Sequence, residues 1–469
     1  MTASLLKEAP ALSRAIAQAD VIRRTRTNTG KNAMTDRKER GIHELYEDDP
    51  ERADWLVFGR IAEADRRGFL RGAGLATMGA ALGAAIPFSR SMPAGIIPAA
   101  FAQTGDKFVL QGKEGLIIMN DRPINLETPP HLLDPDVIPT EHFFVRNNGL
   151  VPEATEDPDA WTLTIDGEVE NELQITLAEL KSDFEQVTMQ AVIECAGNGR
   201  AAFQPSPSGN QWSLGAVGNG EFTGVRLRDV LQRAGLRDSA VYTGHYGADP
   251  HLTMEEGRPA ISRGVPIEKA MDENTLLIWG MNGGDLPLAH GYPLRVLVPG
   301  WVGSASQKWL TRIWIRDQEH DGPGMTGLSY RLPAYPVEPG AEVPHEDMEV
   351  MKSLRIKSLI TRPESNEEVP ADQPLRVRGH AWSGESDPER VEISRDYGVT
   401  WEEADFTPGP NKYAWGTFEA DVELPEAGYY EIWARATDSD GKSQPMVVPG
   451  WNPRGYGNNS SHRIAVKAT

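Results

Sequence analysis

The sequence predicts an α+β domain followed by an all-β sandwich of immunoglobulin type, and three observations carry that prediction. Between Phe108 and about Arg331, β-rich runs alternate with helical signals. After Glu349, short strand-like runs separated by turn residues take over and helical periodicity is absent. Between the two lies Leu332-Pro333-Ala334-Tyr335-Pro336-Val337-Glu338-Pro339-Gly340, continuing to Pro344, whose proline density reads as an extended linker.

In the first part, strands are predicted at Trp161 to Ile165, Val187 to Ile193, Leu276 to Trp279 and Leu294 to Val298. Thr176-Leu177-Ala178-Glu179 has the form in which a threonine and a glutamate three residues later satisfy the free N–H groups of a new helix. A second helix is predicted over Val225 to Ala234, stopped by Gly235. Such a mixture places catalytic residues on loops at strand ends. In the second part, strands are predicted at Leu354 to Leu359, Leu375 to His380, Val391 to Ser394, Trp415 to Val422, Tyr429 to Ala436 and His462 to Val466. Asp396-Tyr397-Gly398 and Ser439-Asp440-Gly441 punctuate them as turns. About seven short strands in this length make a sandwich.

Residues 1–102 differ in kind. Asp65-Arg66-Arg67-Gly68-Phe69-Leu70-Arg71 reads as a twin-arginine signal, followed by a short apolar stretch, Gly72 to Ile86, and an A-x-A cleavage site at Ala100-Phe101-Ala102. The expected organisation is a leader over 1–102, a first domain over 103–331, a linker over 332–349 and a sandwich over 350–469. Export of this kind carries folded, often cofactor-loaded proteins, so a periplasmic enzyme is expected, with no stable membrane anchor after cleavage. Residues 103–469 carry 32 basic and 56 acidic residues, within a whole chain of net charge −21. That balance repels nucleic acid and anionic lipid and favours a basic protein partner. A small anionic substrate would need a local cluster of arginines to overcome the field.

Cys195 is the only cysteine in 469 residues. It sits in Val192-Ile193-Glu194-Cys195-Ala196-Gly197-Asn198-Gly199-Arg200, where an apolar run breaks into a small-residue turn. A single cysteine excludes an intramolecular disulfide, a four-cysteine zinc site, an iron–sulfur cluster and a covalent c-type haem in this chain, and leaves one soft ligand. His251, His320, His345 and His380 lack metal-ligand spacing and read as surface or structural residues. No Walker loop or Rossmann fingerprint is present.

The turn Cys195-Ala196-Gly197-Asn198 resembles the molybdenum-binding segment of the sulfite oxidase family. Four further blocks resemble that family in its order: Phe143 to Asn148, Gly215 to Gly218 with Thr223 to Leu227, His290 to Arg295 with Val298 to Gly300 and Lys308 to Leu310, and Trp451 to Gly455. The resemblance covers roughly residues 115–469. It implies a molybdopterin-binding first domain and a sandwich that mediates dimerisation. It implies molybdenum bound by Cys195, with the pterin supplying its own sulfurs so that one protein thiolate suffices. The pterin and its phosphate would be held by Phe144, Arg146, Asn147, Asn148, Asp249, His290, Arg295, Ser306, Gln307 and Lys308. Substrate contacts would come from Arg146, Arg200 and Arg454 as bidentate oxyanion donors, with Trp212 as an aromatic wall. Two departures stand out. Asn148 replaces a histidine, and the place of the family's active-site tyrosine falls on Met325, with Tyr330 five residues later.

The activity the resemblance implies is oxidation of sulfite or a protein-bound sulfane sulfur by oxygen-atom transfer. Electrons would pass to a separate c-type cytochrome, since no haem motif is present in this chain, and a sulfur-carrier protein would be a further partner. A homodimer, or a heterotetramer with the cytochrome, is expected. Reduction of a sulfoxide or nitrate on the same cofactor is the alternative enzyme reading. A non-catalytic exported binding protein, with Cys195 merely buried, is the alternative of a different class.

Overall fold

The computed structural model describes residues 110–469. The twin-arginine segment and its cleavage site lie outside them. No helix among the described residues is long and apolar enough to cross a membrane.

Strands β1 (Ile117–Asp121), β2 (Ile124–Glu127) and β3 (Val145–Arg146) form a small antiparallel sheet that the sequence reading had not marked. Then come β4 (Thr162–Gly167), β5 (Leu173–Thr176), helix α1 (Leu177–Asp183), β6 (Gln186–Glu194), β7 (Val217–Arg226) and helix α2 (Leu227–Ala234). They are followed by β8 (Tyr242–Gly247), β9 (Ser262–Arg263), helix α3 (Ile267–Ala270), β10 (Leu276–Met281), β11 (Gly284–Asp285), β12 (Arg295–Leu297) and β13 (Leu310–Arg316). These strands make two five-stranded sheets. One has the order β11-β10-β7-β6 with β12 also on β10, and the other the order β5-β4-β13-β8-β9, in which β4 and β13 run parallel.

Helix α1 begins at the capping box: the Thr176 hydroxyl accepts from the Glu179 N–H, and the Glu179 carboxylate accepts from the Thr176 N–H. Helix α2 starts two residues later than expected. Val225 pairs with Gln186 on one side and Leu277 on the other, and Arg226 with Leu276, so the ladders hold the chain extended through Arg226.

The expected linker is a hairpin rather than an extended spacer. Strands β14 (Arg331–Pro333) and β15 (Met348–Val350) pair with each other, so the proline-rich stretch loops out and returns to its starting point. Burial of Met348 and Met351 anchors the return.

The sandwich packs a four-stranded sheet on a five-stranded one. The first has the order β16 (Lys357–Arg362), β18 (Leu375–Trp382), β22 (Gly416–Val422), β21 (Asp405–Thr407). The second has the order β17 (Glu367–Val369), β24 (His462–Ala468), β23 (Gly428–Asp438), β19 (Pro388–Ser394), β20 (Glu402–Glu403). Strand β16 starts later than expected because the residues before it are used elsewhere: Val302 and Leu354 N–H groups bond Lys352 and Gly300 carbonyls, stitching this segment to the first domain.

Each part has its own apolar core. One cluster lies under the α-helices and another inside the sandwich. A third crosses between the two parts and contains Ile193, Cys195, Val217, Phe222 and Tyr330 together with Leu354, Trp382, Tyr413, Trp415 and Tyr456. The two domains therefore share buried surface, and Cys195 sits in the shared region. His320 and His380 are buried among structural hydrogen bonds, while His345 is exposed.

Candidate active site

Strands β6 and β7 form the longest ladder of the first domain, pairing from Gln186 with Val225 to Glu194 with Val217. The Cys195 N–H extends it one step, onto the Ala216 carbonyl at 2.9 Å. The chain then turns tightly. Asn198 N–H donates to the Cys195 carbonyl at 2.9 Å, Arg200 N–H donates to the Gly197 carbonyl at 3.0 Å, and Ala216 N–H donates to Asn198 Oδ1 at 3.1 Å. Gly197 lets the Arg200 guanidinium pack against the turn, since a β-carbon there would lie 2.2 Å from it.

The sandwich holds the same turn from the other side. The Glu194 carboxylate is 2% exposed and accepts from Asn198 Nδ2 at 3.0 Å, from the Trp382 indole N–H at 2.9 Å and from the Lys357 ammonium. Gly457 N–H donates to the Ala196 carbonyl, and Asn458 Nδ2 to the Gly199 carbonyl, both at 2.9 Å. The sulfur-bearing turn is thus fixed by both domains.

Cys195 lines a cleft. Phe144, Arg146, Asn147, Asn148, Asp249, His290, Arg295, Ser306, Gln307, Lys308 and Tyr330 line it together with Cys195. Arg200, Trp212 and Arg454 do not. Arg200 lies one layer back, donating from Nε to the Arg454 carbonyl and from Nη1 to the Asn210 carbonyl, each at 2.7 Å. Trp212 is fully buried with its indole N–H unpartnered, and Arg454 turns outward to Ser208 at 2.8 Å. Of the two candidates for the tyrosine position, Tyr330 lines the cleft and its hydroxyl donates to Asn148 Oδ1 at 3.3 Å. Met325 is fully buried away from it.

The polar lining is strongly cationic. Lys308 donates to Asn147 Oδ1 and to the Ala289 carbonyl; Arg295 donates to the carbonyls of Ser306 at 3.0 Å and His290 at 3.2 Å. Arg146 Nη2 donates to Asn148 Oδ1 at 2.7 Å. Behind His290 stands Lys113, whose Nζ lies 2.8 Å from His290 Nε2 and donates to the Phe143 and Thr140 carbonyls. Burial holds Lys308 and His290 well below their usual ranges, with Arg295 adding to the first and Lys113 to the second. Burial also lowers Arg295 to about 10 and Lys113 to about 7. One carboxylate answers them inside the cleft: Asp249, itself pushed up to about 7 by burial, accepts from Gln307 Nε2 at 3.4 Å.

This donor set fits a phosphate-bearing, amide-rich cofactor. Cations withdrawn from water are normally paired with anions, yet among the described residues buried Arg295 and partly buried Arg146 and Lys308 have no carboxylate in ion-pair contact. The cleft wall also carries buried polar atoms with no partner, Asn147 Nδ2, Gln307 Oε1 and Ser304 Oγ. Unpaired donors and acceptors of this kind are costly unless a ligand meets them. Sequence reasoning missed Lys113, which stands in no motif. It also missed the Glu194–Lys357–Trp382 cluster, whose members are far apart in the chain, and Tyr456, which directly follows the recognised Trp451 to Gly455 block.

Comparison with known proteins agrees with this geometry. Residues 148–323 match the oxidoreductase molybdopterin-binding domain and residues 348–469 the Mo-co oxidoreductase dimerisation domain. The chain is 32% identical over 367 residues to sulfite oxidase of Gallus gallus, an alignment covering 74% of this chain and 77% of that protein. It is 31% identical over 389 residues to a nitrate reductase [NADH] of Brassica napus, covering 77% of this chain and 42% of that protein. Among solved structures, the sulfane dehydrogenase SoxCD from Paracoccus pantotrophus superposes with a TM-score of 0.60 at 26% identity, covering 80% of this chain and 91% of that one. A cationic cleft around a lone thiol, in a fold and sequence shared over most of the chain, leads to one conclusion: the protein belongs to the sulfite oxidase family of molybdenum enzymes.

Proposed function

We propose that the protein oxidises sulfite, or a sulfane sulfur carried on a partner protein, and passes the electrons to a separate c-type cytochrome. The observation that carries this reading is the surplus of basic over acidic side chains lining the cleft at Cys195 in a chain of net charge −21. A protein that repels anions at long range has concentrated positive charge where an oxyanion and a phosphate would both be needed.

Molybdopterin, when bound, supplies oxygen-atom transfer and storage of two electrons. The chain's own residues do the rest. Cys195 offers one thiolate from a turn braced on both sides, so little reorganisation is needed to present it. Arg146, Arg295, Lys308 and His290 would supply donors to the cofactor's anionic group, and Asn147, Ser304 and Gln307, whose polar atoms lack partners, would hydrogen-bond its amide groups. Burial pushes the Asp249 carboxyl up to about 7, so near neutrality it is divided between a protonated form that can donate a hydrogen bond and an ionised form that only accepts. Arg200, buried beside the Cys195 turn and, among the described residues, without a carboxylate partner, would favour the approach of an anionic substrate electrostatically. We further propose a periplasmic location after twin-arginine export, and a homodimer or a heterotetramer with the cytochrome. The dimerisation-domain match and the SoxCD likeness support that assembly.

Nitrate reduction is the second reading, favoured by the Brassica napus relative. Steady-state assays of the molybdenum-loaded protein decide between them. Sulfite-dependent reduction of cytochrome c, exceeding nitrate reduction by at least a hundredfold, is expected. Nitrate turnover at the higher rate would replace the proposal with the second reading.

A further inference from the structure

Tyr330 is held in an unusual way. It is a non-glycine residue at φ +52°, in the left-handed region that costs most side chains about 1 kcal/mol or more. Such a conformation persists only where the surroundings over-determine it. The main constraint is an aromatic column. The Tyr456 ring lies parallel to the Tyr330 ring, with centroids 5.4 Å apart and 5° between planes. The Arg200 guanidinium carbon lies over the Tyr456 ring, 5.2 Å from its centroid, and the Arg263 guanidinium carbon over the Tyr330 ring, 4.8 Å from its centroid. Arg200 and Arg263 are both buried and, among the described residues, neither has a carboxylate partner. Their charges therefore rest partly on the two ring faces.

The sandwich delivers Tyr456 to this place with care. Asn452 clamps its backbone, Oδ1 accepting from the Tyr456 N–H and Nδ2 donating to the Tyr456 carbonyl, both at 2.9 Å. Glycines flank it at φ +58° and +67°, and a β-carbon at Gly455 would lie 2.7 Å from Arg200. Gly457 N–H is the group that bonds Ala196, next to the thiol. On the cleft side, the Tyr330 hydroxyl donates to Asn148 Oδ1, which also accepts from Arg146.

We infer that Tyr456 is a positioning residue: its ring stacks Tyr330 into the cleft and thereby fixes the Tyr330–Asn148–Arg146 chain that faces an anionic substrate. The tyrosine that lines the cleft, Tyr330, is thus braced by a residue of the second domain, while Met325 lies buried away from it. The kinetic consequence rests on the function proposed above; the positional claim does not.

The test uses Tyr456→Leu and Tyr456→Met, which keep bulk without a flat face, beside Tyr456→Phe, which keeps the ring. Crystal structures of the loaded proteins read the position of Tyr330, and steady-state assays read KM and kcat for sulfite. In the leucine and methionine variants Tyr330 is expected to leave Asn148 and KM to rise about tenfold, with kcat within threefold of the parent. The phenylalanine variant should retain both. In a Tyr330→Phe background, Tyr456→Leu should add little to the KM change, because it acts through the same hydroxyl. Tyr330 remaining on Asn148 in both ring-less variants overturns the inference. So does an additive KM effect in the double variant. If the parent fails to turn over sulfite, the proposed function falls while the crystal structures still decide whether Tyr456 positions Tyr330.

Discussion

Replacing Lys357 by methionine removes the ammonium that contacts Glu194, a carboxylate 2% exposed and one residue before the thiol. The carboxylate keeps its bonds from Trp382 and Asn198 but loses its only charged partner in contact among the described residues. Breaking a buried pair by deleting one member costs about 3–5 kcal/mol, because the remaining charge is left uncompensated. The described 360 residues, melting as one block at about 2.1 cal/mol/K per residue, have an unfolding entropy near 0.76 kcal/mol/K. A loss of about 4 kcal/mol then lowers Tm by about 5 °C. The double variant Lys357→Met/Glu194→Gln removes both charges and leaves an amide oxygen for the Trp382 indole. It should recover most of that loss, within about 1 kcal/mol of the parent. Calorimetry of the four proteins closes the cycle, and thiolate-to-metal absorption of the loaded proteins reports whether the Cys195 turn has shifted. The single variant should perturb that absorption and the double variant restore it. A Tm drop below 1 °C for Lys357→Met, or a double variant no better than the single, would refute the reasoning.

Lys308→Met removes a partly buried cation that bonds Asn147 and the Ala289 carbonyl; cofactor affinity should fall about 10–100-fold, read as pterin retained after gel filtration. Asp249 titrates in the cofactor-free protein near 7, above its unfolded value, so between about pH 4 and 7 the native state binds the extra proton and stability declines as pH rises. Asp249→Asn should flatten that decline, worth about 4 kcal/mol at most, in denaturant midpoints measured across the window; an unchanged slope would place the titration elsewhere. Lys113, lowered to about 7, works with the opposite sign: stability it opposes when charged is recovered as pH rises from about 7, and Lys113→Met should remove that rise.

What could be read from the sequence followed from local rules. The capping box at Thr176 and the Gly235 stop are written in adjacent residues, and both α1 and α2 end or begin there. Much of the cleft lining was legible because short blocks such as Phe143 to Asn148 and His290 to Arg295 carry dense polar chemistry close together in the chain. Contacts between distant segments were not legible. Nothing local in Lys357, Trp382 or Tyr456 announces that each reaches the Cys195 turn across the shared core. The hairpin formed by Leu332 and Glu349 was hidden for the same reason, since prolines advertise extension while the pairing that closes the loop is decided 17 residues away. Arg200, Trp212 and Arg454 illustrate a third limit. The family resemblance put them at the site, but hydrogen bonds to Asn210, Ser208 and the Arg454 carbonyl hold the two arginines off the cleft wall, and Trp212 is fully buried away from it.

The most direct test of the account is molybdenum and pterin content of the purified protein beside a Cys195→Ser variant, with sulfite-dependent cytochrome c reduction measured on the same samples. The account predicts about one molybdenum per chain in the parent, and activity that disappears in the variant while its pterin pocket residues remain intact. Parent protein from cofactor-competent cells that carries no molybdenum, or a serine variant that turns over sulfite at the parent's rate, would contradict it.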